Sequence, residues 1–180
     1  MISKPTGILK RNRRERKVEF NDLWDLPEGS SYKVSKSKSG LILELHLIPR
    51  SSFGSNLRNQ LGRKWDTLSK KIRSERGFKC DLCRASKKKT HLHEVWEYNE
   101  ETKIQKLIGF ECVCENCHSV HHWGYSEIQN KNMEFLINHA CHVNSCKKKE
   151  FEKHIEEASE IWRRRSNIKW TLNIDLMNYL

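Results

Sequence analysis

Two Cys-x-x-Cys motifs constrain the fold of this 180-residue chain more than any other feature of its sequence. The first joins Cys80 to Cys83, and the second joins Cys114 to Cys117. Each motif is typical of a tight turn that directs two thiolates at one ion, and two such turns complete a tetrahedral zinc site. We therefore predict a structural Zn²⁺ ion bound by all four cysteines. Four buried free thiols are the alternative interpretation of the same spacing.

The remaining cysteines and the hydropathy of the chain indicate a reducing compartment. Cys112, Cys141 and Cys146 lack the paired spacing, so we expect them to be ordinary small side chains. The N-terminus has no apolar segment followed by a cleavage site, and no apolar run approaches the roughly 20 residues that span a bilayer. We expect a cytoplasmic protein without a membrane partner, in which cysteines bind metal rather than form disulfides.

The chain is strongly basic, with 34 Lys and Arg residues against 23 Asp and Glu residues and a net charge of +11. A basic surface attracts polyanions, because neutralising phosphate releases its counterions. We predict nucleic acid, and DNA first, as the partner; a solvated basic surface is the alternative. The side chains predicted to contact phosphate are Arg11, Arg13 and Arg14 in an N-terminal arm, Lys64, Lys70 and Arg73 on a helix, and Lys87 and Lys88 in a loop.

The apolar pattern predicts an α+β domain preceded by a basic extension. We expect residues 1–40 to be the weakly structured extension and residues 41–180 to form a single domain. Alternating apolar residues predict a strand over 41–48, and helical spacing predicts a helix over 63–76. The other predicted elements are a short helix over 55–61 capped by Ser55, a hairpin from His91 to Val113, a helix from near Glu115, two C-terminal helices and a strand over 169–175.

The histidines indicate a second kind of metal site. His118 and His122 are four residues apart on the predicted helix, so both imidazoles lie on one face and can bind one ion. His93 on the preceding hairpin is the obvious third ligand, His91 is a less certain addition, and His121 lies off the shared face. Three protein ligands leave coordination positions open for water and substrate, as in a catalytic site for Mg²⁺, Mn²⁺ or Zn²⁺. The alternative is that these histidines only form hydrogen bonds within the zinc module.

Cys-x-x-Cys, a histidine-containing strand and Cys-x-x-Cys-His-x-x-x-His occur in that order over residues 78–124. This order resembles the HNH endonucleases of the ββα-metal class, in the subgroup that has a four-cysteine zinc knuckle. Further short matches extend a resemblance to a group of uncharacterised bacterial HNH proteins over most of residues 45–175. These matches are Ser55-Asn56-Leu57-Arg58, Leu92-His93-Glu94-Val95-Trp96-Glu97-Tyr98, Gln105-Lys106-Leu107, Trp162-Arg163-x-Arg165-Ser166 and Trp170-x-Leu172.

The resemblance implies a small ββα-metal core braced by the zinc knuckle and flanked by helices and short strands. It also implies metal-dependent hydrolysis of DNA, with His93, His118 and His122 as ligands of the catalytic ion. The chain departs from the family pattern at two positions. Glu94 stands where the general-base histidine is expected, and Gly109 stands where an asparagine is expected.

These departures leave two functions open. In an active enzyme, Glu94 or His91 activates water, because a carboxylate or imidazole of suitable pKa can accept its proton. In the alternative, a catalytically impaired scaffold keeps its zinc and its basic surface. It then binds nucleic acid or a protein partner, for example in phage or host defence. The sequence has no heptad pattern that would indicate a dimer seam.

Overall fold

The computed structural model describes residues 40–86 and 89–175 and has an α+β fold. Its helices and strands are α1 (Leu57–Leu61), α2 (Arg63–Glu75), β1 (Thr90–Asn99), β2 (Ile104–Cys114), α3 (Glu115–His121), α4 (Trp123–Ile128), α5 (Met133–Asn144), α6 (Lys148–Arg165) and β3 (Thr171–Asn173). The sheet has the order β1-β2-β3, in which β1 and β2 are antiparallel and β2 and β3 are parallel.

Some predictions lie outside the described residues. They are the weak structure of the N-terminal extension, apart from residue 40, and the phosphate contacts of Arg11, Arg13, Arg14, Lys87 and Lys88. In the part of the chain that the structure describes, no helix combines the length and apolar character needed to cross a membrane.

Helix α2 follows the predicted pattern. Trp65, Leu68 and Ile72 recur at helical spacing and are buried in one cluster with apolar side chains of β1 and β2. Gly77 has φ +59°, the left-handed conformation that closes a helix without a side-chain clash. The helix therefore ends where the turn that holds Cys80 and Cys83 begins.

Helix α1 begins two residues after the predicted cap. Asn56, rather than Ser55, is the capping residue, and its side-chain oxygen accepts a hydrogen bond from the amide of Asn59 at 2.8 Å. Gly62, with φ +57°, ends the helix as predicted. Serine and asparagine are both favoured at the N-cap position, so the residue types alone do not distinguish Ser55 from Asn56.

A β-bulge determines which side chains of the hairpin face each other. From Asn99 to Trp96, the residues of β1 pair with β2 in one constant register. The register then shifts by one residue, so Val95 pairs with Gly109. His93 consequently lies opposite Glu111, and the two side chains share one face of the sheet.

The sheet separates two apolar cores. On one face, α1 and α2 pack against Leu92 and Phe110. On the other face, side chains of α3, α5 and α6 surround Val113. Because successive side chains of a strand point to opposite faces, His93 projects toward α3, whereas Glu94 projects toward α1.

Residues 41–48 do not form the predicted strand: Ile42 and Leu43 lie in a bend, and the other residues have no regular secondary structure. Leu43 and Leu45 are buried, in agreement with the alternation of the sequence. However, the backbone of this segment bonds to helices: Asn144 on α5 accepts from two consecutive amides at 2.8 Å each, and His154 on α6 accepts from the Leu45 amide at 3.1 Å. The prediction of a strand was wrong because side chains far along the chain satisfy these backbone groups.

Candidate metal centres and the histidine cleft

Four cysteine sulfurs converge beyond the end of α2. Cys80 and Cys83 lie in the turn after α2, Cys114 is the last residue of β2, and Cys117 lies in the first turn of α3. All four Sγ atoms lie within 4.8 Å of one another, and those of Cys83 and Cys114 are 3.6 Å apart. Tetrahedral Zn²⁺ with bonds of about 2.3 Å places its sulfur ligands about 3.8 Å apart, so the donors fit. This confirms the predicted four-cysteine cluster as a group that could hold a metal ion such as zinc.

Direct hydrogen bonds and an ion pair attach the turn that holds Cys80 and Cys83 to the hairpin. The amide of Asp81 donates to the carbonyl of Cys112 at 2.8 Å, and the Asp81 carboxylate accepts from the Cys112 amide at 2.7 Å. Arg76 forms an ion pair with the same carboxylate oxygen and donates to the carbonyl of Phe110 at 3.1 Å. The turn is therefore positioned by protein contacts as well as by any ion it binds.

The environment shifts the pKa values of Cys80 and Cys83 in opposite directions. Hydrogen bonds from the thiols of Cys114 and Cys117 hold the pKa of Cys80 well below its ordinary value. Burial raises the pKa of Cys83 to about 11. The Nε2 atom of His139 lies 3.2 Å from the sulfur of Cys117 and is an outer partner of the cluster.

A second group contains the three histidines predicted to bind a catalytic ion. His93 on β1 and His118 and His122 at α3 offer ligand nitrogens that all lie within 4.8 Å of one another. The ring of His93 meets those of His118 and His122 edge-on, with centroid distances of 5.6 Å and 4.8 Å. The residues converge because α3 begins directly after β2 and packs back against β1. Their role as metal ligands stays a prediction.

Burial keeps these imidazoles neutral. Burial, followed by the influence of neighbouring histidines, lowers the pKa of His118 to about 3 and that of His122 to about 4. The pKa of His93 is also well below its ordinary value for the same reasons. Neutral imidazole is the form that binds metal, so above these pKa values an ion displaces no proton from the rings.

We therefore expect the affinity of this group for a divalent ion to change by no more than about twofold between about pH 7 and pH 5.5. Histidines with an ordinary pKa of about 6.5 would be mostly protonated at the lower pH and would bind far more weakly. Calorimetric titration of Mn²⁺ into protein whose four-cysteine site is already filled measures the affinity. A loss of about tenfold or more per pH unit would contradict the prediction.

His91 lies beside this group and has a carboxylate partner. Its Nε2 atom is 2.8 Å from an oxygen of Glu115, and its ring stacks on that of His118 with centroids 4.5 Å apart. Lys131 donates to the other oxygen of Glu115 at 2.8 Å, and this contact lowers the pKa of Glu115 to about 2. An ionised carboxylate only accepts hydrogen bonds, so Nε2 of His91 carries the hydrogen and Nδ1 is the basic nitrogen.

Glu94, the other predicted base, projects from the opposite face of β1. One carboxylate oxygen accepts a hydrogen bond from the Leu57 amide at 2.8 Å, and the other accepts from Nε1 of Trp96 at 2.9 Å. Burial raises the pKa of Glu94 even though these two hydrogen bonds oppose the rise. The carboxylate thus supports the start of α1, and the structure does not place it among the grouped histidines. Its catalytic role stays a prediction.

A third group of possible metal ligands was not predicted from the sequence. His46, in the irregular segment 41–48, and His121, in α3, offer ligand atoms that lie within 4.8 Å of each other and of His93. A carboxylate oxygen of Glu111 on β2 lies 3.0 Å from Nε2 of His121. Helical spacing places His121 on a different face from His118 and His122, and this was visible in the sequence. His46 and Glu111 lie close to His121 only through tertiary contacts, which the sequence does not show.

The histidines of the second group line a cleft of about 1180 Å³. Exposed aromatic rings stand at its border, where Phe53 is 68% exposed and Tyr125 is 62% exposed. Cations outnumber carboxylates in the lining, which suits an anionic ligand. The charged lining residues are Arg50, Arg58, Arg73, Lys89 and Arg163 together with Asp66, Glu94 and Glu127.

The basic residues predicted on α2 occupy different environments. Lys64 and Lys70 are exposed to solvent, and Arg73 lines the cleft. The guanidinium of Arg73 donates to the carbonyls of Ser69 at 3.0 Å and Thr90 at 2.7 Å, so it also joins α2 to the start of β1. Contact of these three residues with phosphate stays a prediction.

No protein-family model matches this sequence, and neither a curated protein nor a solved structure matches it. Function therefore has to be argued from the chemistry of the site itself.

Proposed function

We propose that this protein is a metal-dependent endonuclease of the HNH type that hydrolyses phosphodiester bonds of DNA. In this proposal β1, β2 and α3 form a ββα-metal core, and the four-cysteine zinc knuckle braces it. The observation that carries the proposal is the convergence of His93, His118 and His122 in the wall of a cation-lined cleft. Such a group combines an open metal position with a surface suited to phosphate.

His93, His118 and His122 would hold the catalytic ion. Three imidazole nitrogens suit Zn²⁺ better than Mg²⁺, which prefers oxygen ligands. A divalent ion bound there supplies Lewis-acid stabilisation of the phosphoryl oxygens and of the leaving oxygen. The exposed aromatic rings and cations at the border of the cleft would hold bases and backbone on either side of the reacting phosphate.

His91 is better placed than Glu94 to act as the general base. Its Nε2–H donates to Glu115, which leaves Nδ1 to accept a proton from the attacking water. The ionised Glu115 then stabilises the imidazolium that forms. The stacking of His91 on His118 supports this role, because it puts the base next to a proposed metal ligand. Both oxygens of Glu94 are already used by the Leu57 amide and the Trp96 indole.

Cleavage is expected to require a divalent ion beyond the one held by the cysteines. Protein with only the four-cysteine site filled should leave supercoiled plasmid and single-stranded DNA intact. Addition of Zn²⁺, Mn²⁺ or Mg²⁺ should restore cleavage of at least one of them, and gel electrophoresis measures the products. If none of these ions stimulates cleavage of either substrate, the nuclease proposal is rejected.

His91→Ala is expected to lower the single-turnover cleavage rate by about 10²–10⁴-fold, because general-base catalysis contributes about that much. DNA binding should stay unchanged, since His91 is not one of the proposed phosphate-binding cations. Glu94→Gln is the comparison; its amide oxygen can keep only one of the two hydrogen bonds that the carboxylate accepts, and it should lose less than about tenfold because Glu94 is not the proposed base. A larger loss in Glu94→Gln than in His91→Ala would reverse the assignment of the base.

A catalytically impaired scaffold that binds nucleic acid is the second candidate. It is favoured by Gly109 and Glu94, which stand at the asparagine and base positions of the resembled family. Such a protein would bind DNA with an affinity that falls as salt rises, because each phosphate contact releases counterions. Salt-dependent binding without metal-stimulated cleavage would support it. Recovery of a protein partner from nuclease-treated extract would instead support a protein-directed function.

A further inference from the structure

Three of the side chains that line the cleft are both apolar and strongly exposed. Phe53 is 68% exposed, Tyr125 62% and Ile128 75%. Phe53 lies in the turn that precedes α1, whereas Tyr125 and Ile128 lie on α4. A single apolar side chain at a protein surface needs no explanation, but several of them on one cleft indicate a place where a ligand binds.

The backbone that carries the two exposed rings is held in place. The amide of Phe53 donates to the carbonyl of Arg50 at 3.2 Å. The side chain of Asn59 donates to the carbonyl of the next residue, Gly54, also at 3.2 Å. Tyr125 lies inside α4, where the helix fixes its backbone. Aromatic rings on a fixed backbone have few rotatable bonds left to order, so they bind a ligand at a low cost in conformational entropy.

Exposed cations accompany these rings in the lining of the cleft. Arg50, Lys89 and Arg163 are exposed, and none of them forms an ion pair with another residue that the structure describes. The guanidinium of Arg50 lies over the ring of Trp162, 4.9 Å from its centroid. Flat apolar rings beside unpaired cations match a ligand that has both flat faces and an anionic backbone, and a polynucleotide is such a ligand.

The size of the cleft and the exposure of its rings favour unpaired nucleotides over a duplex. The volume of about 1180 Å³ is only slightly larger than that of sites for drug-sized ligands, about 300–1,000 Å³, and suits a short stretch of nucleotides. In a duplex each base is already stacked on its neighbours, so it offers a free face to Phe53 or Tyr125 only after costly unstacking. An unpaired base offers that face directly.

We propose that the cleft takes single-stranded DNA, with Phe53 and Tyr125 each stacking on an unpaired base and with Arg50 and Arg163 contacting the phosphate backbone. Ile128, three residues after Tyr125, lies on the same face of α4 and widens the apolar surface. This inference rests on the proposed function, because it takes DNA as the substrate. It adds that the DNA is unpaired where it enters the site.

Fluorescence anisotropy without added activating ion measures binding separately from cleavage. Full-length protein should bind a labelled thymidine oligomer of about ten nucleotides at least about tenfold more tightly than a hairpin duplex of similar length. Phe53→Ala and Tyr125→Ala should each weaken single-strand binding by about 5- to 150-fold, the range found when a stacking ring is replaced by alanine, and should change duplex binding by less than about twofold. Phe135→Ala is the matched control, because it removes a ring that is 51% exposed and lies outside the cleft lining.

Two further variants separate stacking from general apolar contact. Leucine is apolar but has no flat ring, so Phe53→Leu should weaken single-strand binding nearly as much as Phe53→Ala, whereas Phe53→Trp should bind at least as tightly as the wild-type protein.

Duplex binding as tight as single-strand binding, or unchanged single-strand affinity in both alanine variants, would overturn the inference. Tighter binding of a uridine oligomer would overturn the assignment to DNA. Single-strand binding by a protein that cleaves neither substrate would support the inference and count only against the nuclease. Cleavage of duplex DNA at the wild-type rate by both alanine variants would retain the nuclease and overturn the inference.

Discussion

On the prediction that the four cysteines bind zinc, replacing Cys80 by serine is expected to release that ion and to unfold most of the domain. Cys80 is fully buried in the same apolar core as side chains of α3, α5 and α6. Structural zinc contributes an apparent binding free energy of about 10–16 kcal/mol, and whole domains are stable by only about 5–15 kcal/mol. Loss of the ion therefore removes a free energy comparable with the whole stability of a domain.

Circular dichroism during heating, with zinc content measured on the same sample, tests this expectation. A strong chelator added to the wild-type protein should reproduce the effect of Cys80→Ser. Cys146→Ser is the matched control, because Cys146 is partly exposed and lies outside the four-cysteine group. An unchanged unfolding midpoint and zinc content in Cys80→Ser would show that the cysteines are structural thiols without a metal.

His118→Ala is expected to lower DNA cleavage by at least about 10³-fold, on the proposal that the cleft group holds the catalytic ion. The loss follows because a metal ion contributes several kcal/mol to stabilising charge in the transition state, and each 1.4 kcal/mol is about tenfold in rate. His118 also stacks on His91, so its removal loosens the proposed base. The ion at the cysteines should be unaffected.

The measurement compares single-turnover cleavage by wild-type protein, His118→Ala and His142→Ala at a saturating concentration of the activating metal. His142→Ala controls for the loss of an imidazole from the helical region, because His142 is exposed and outside the histidine groups. Zinc content and unfolding midpoint should distinguish loss of one ion from loss of the fold. Equal cleavage by His118→Ala and wild-type protein would disprove the nuclease proposal.

Features set by local spacing were predictable from the sequence. A Cys-x-x-Cys turn directs both of its sulfurs to one point wherever it occurs, so the four-cysteine cluster followed from Cys80 and its partners. Residues four apart on a helix share a face in any fold, which is why His118 and His122 are found together. The apolar repeat of α2 and the position of Gly77 likewise depend on neighbours in the chain alone.

Features set by strand register were not predictable. Without the shift between Val95 and Trp96, His93 would lie opposite Phe110 rather than Glu111. Residue types that alternate along a strand do not show where such a bulge occurs. The contact between His121 and Glu111 depends on that shift, so it was not predictable from the residue pattern.

The hydrogen-bond partners of residues in a predicted strand were also not predictable from the sequence. The alternation of residue types correctly placed Glu94 and His93 on opposite faces. It did not show that the Glu94 carboxylate would accept a hydrogen bond from the amide of Leu57. For residues 41–48, alternation correctly identified the buried leucines. It did not show that the side chains of Asn144 and His154, rather than a neighbouring strand, would accept hydrogen bonds from the backbone amides. In both cases the partner lies far along the chain.

The same contacts of residues 41–48 bear on the order in which the molecule assembles. Leu43 and Leu45 are held by Asn144 and His154 across sequence separations of 101 and 109 residues. Contacts at such separations require the closure of long loops, whereas the sulfurs of Cys83 and Cys114 are separated by only 31 residues. We expect the knuckle and hairpin to form first during synthesis. The segment that contributes His46 is translated before them, and it docks only after α5 and α6 have emerged.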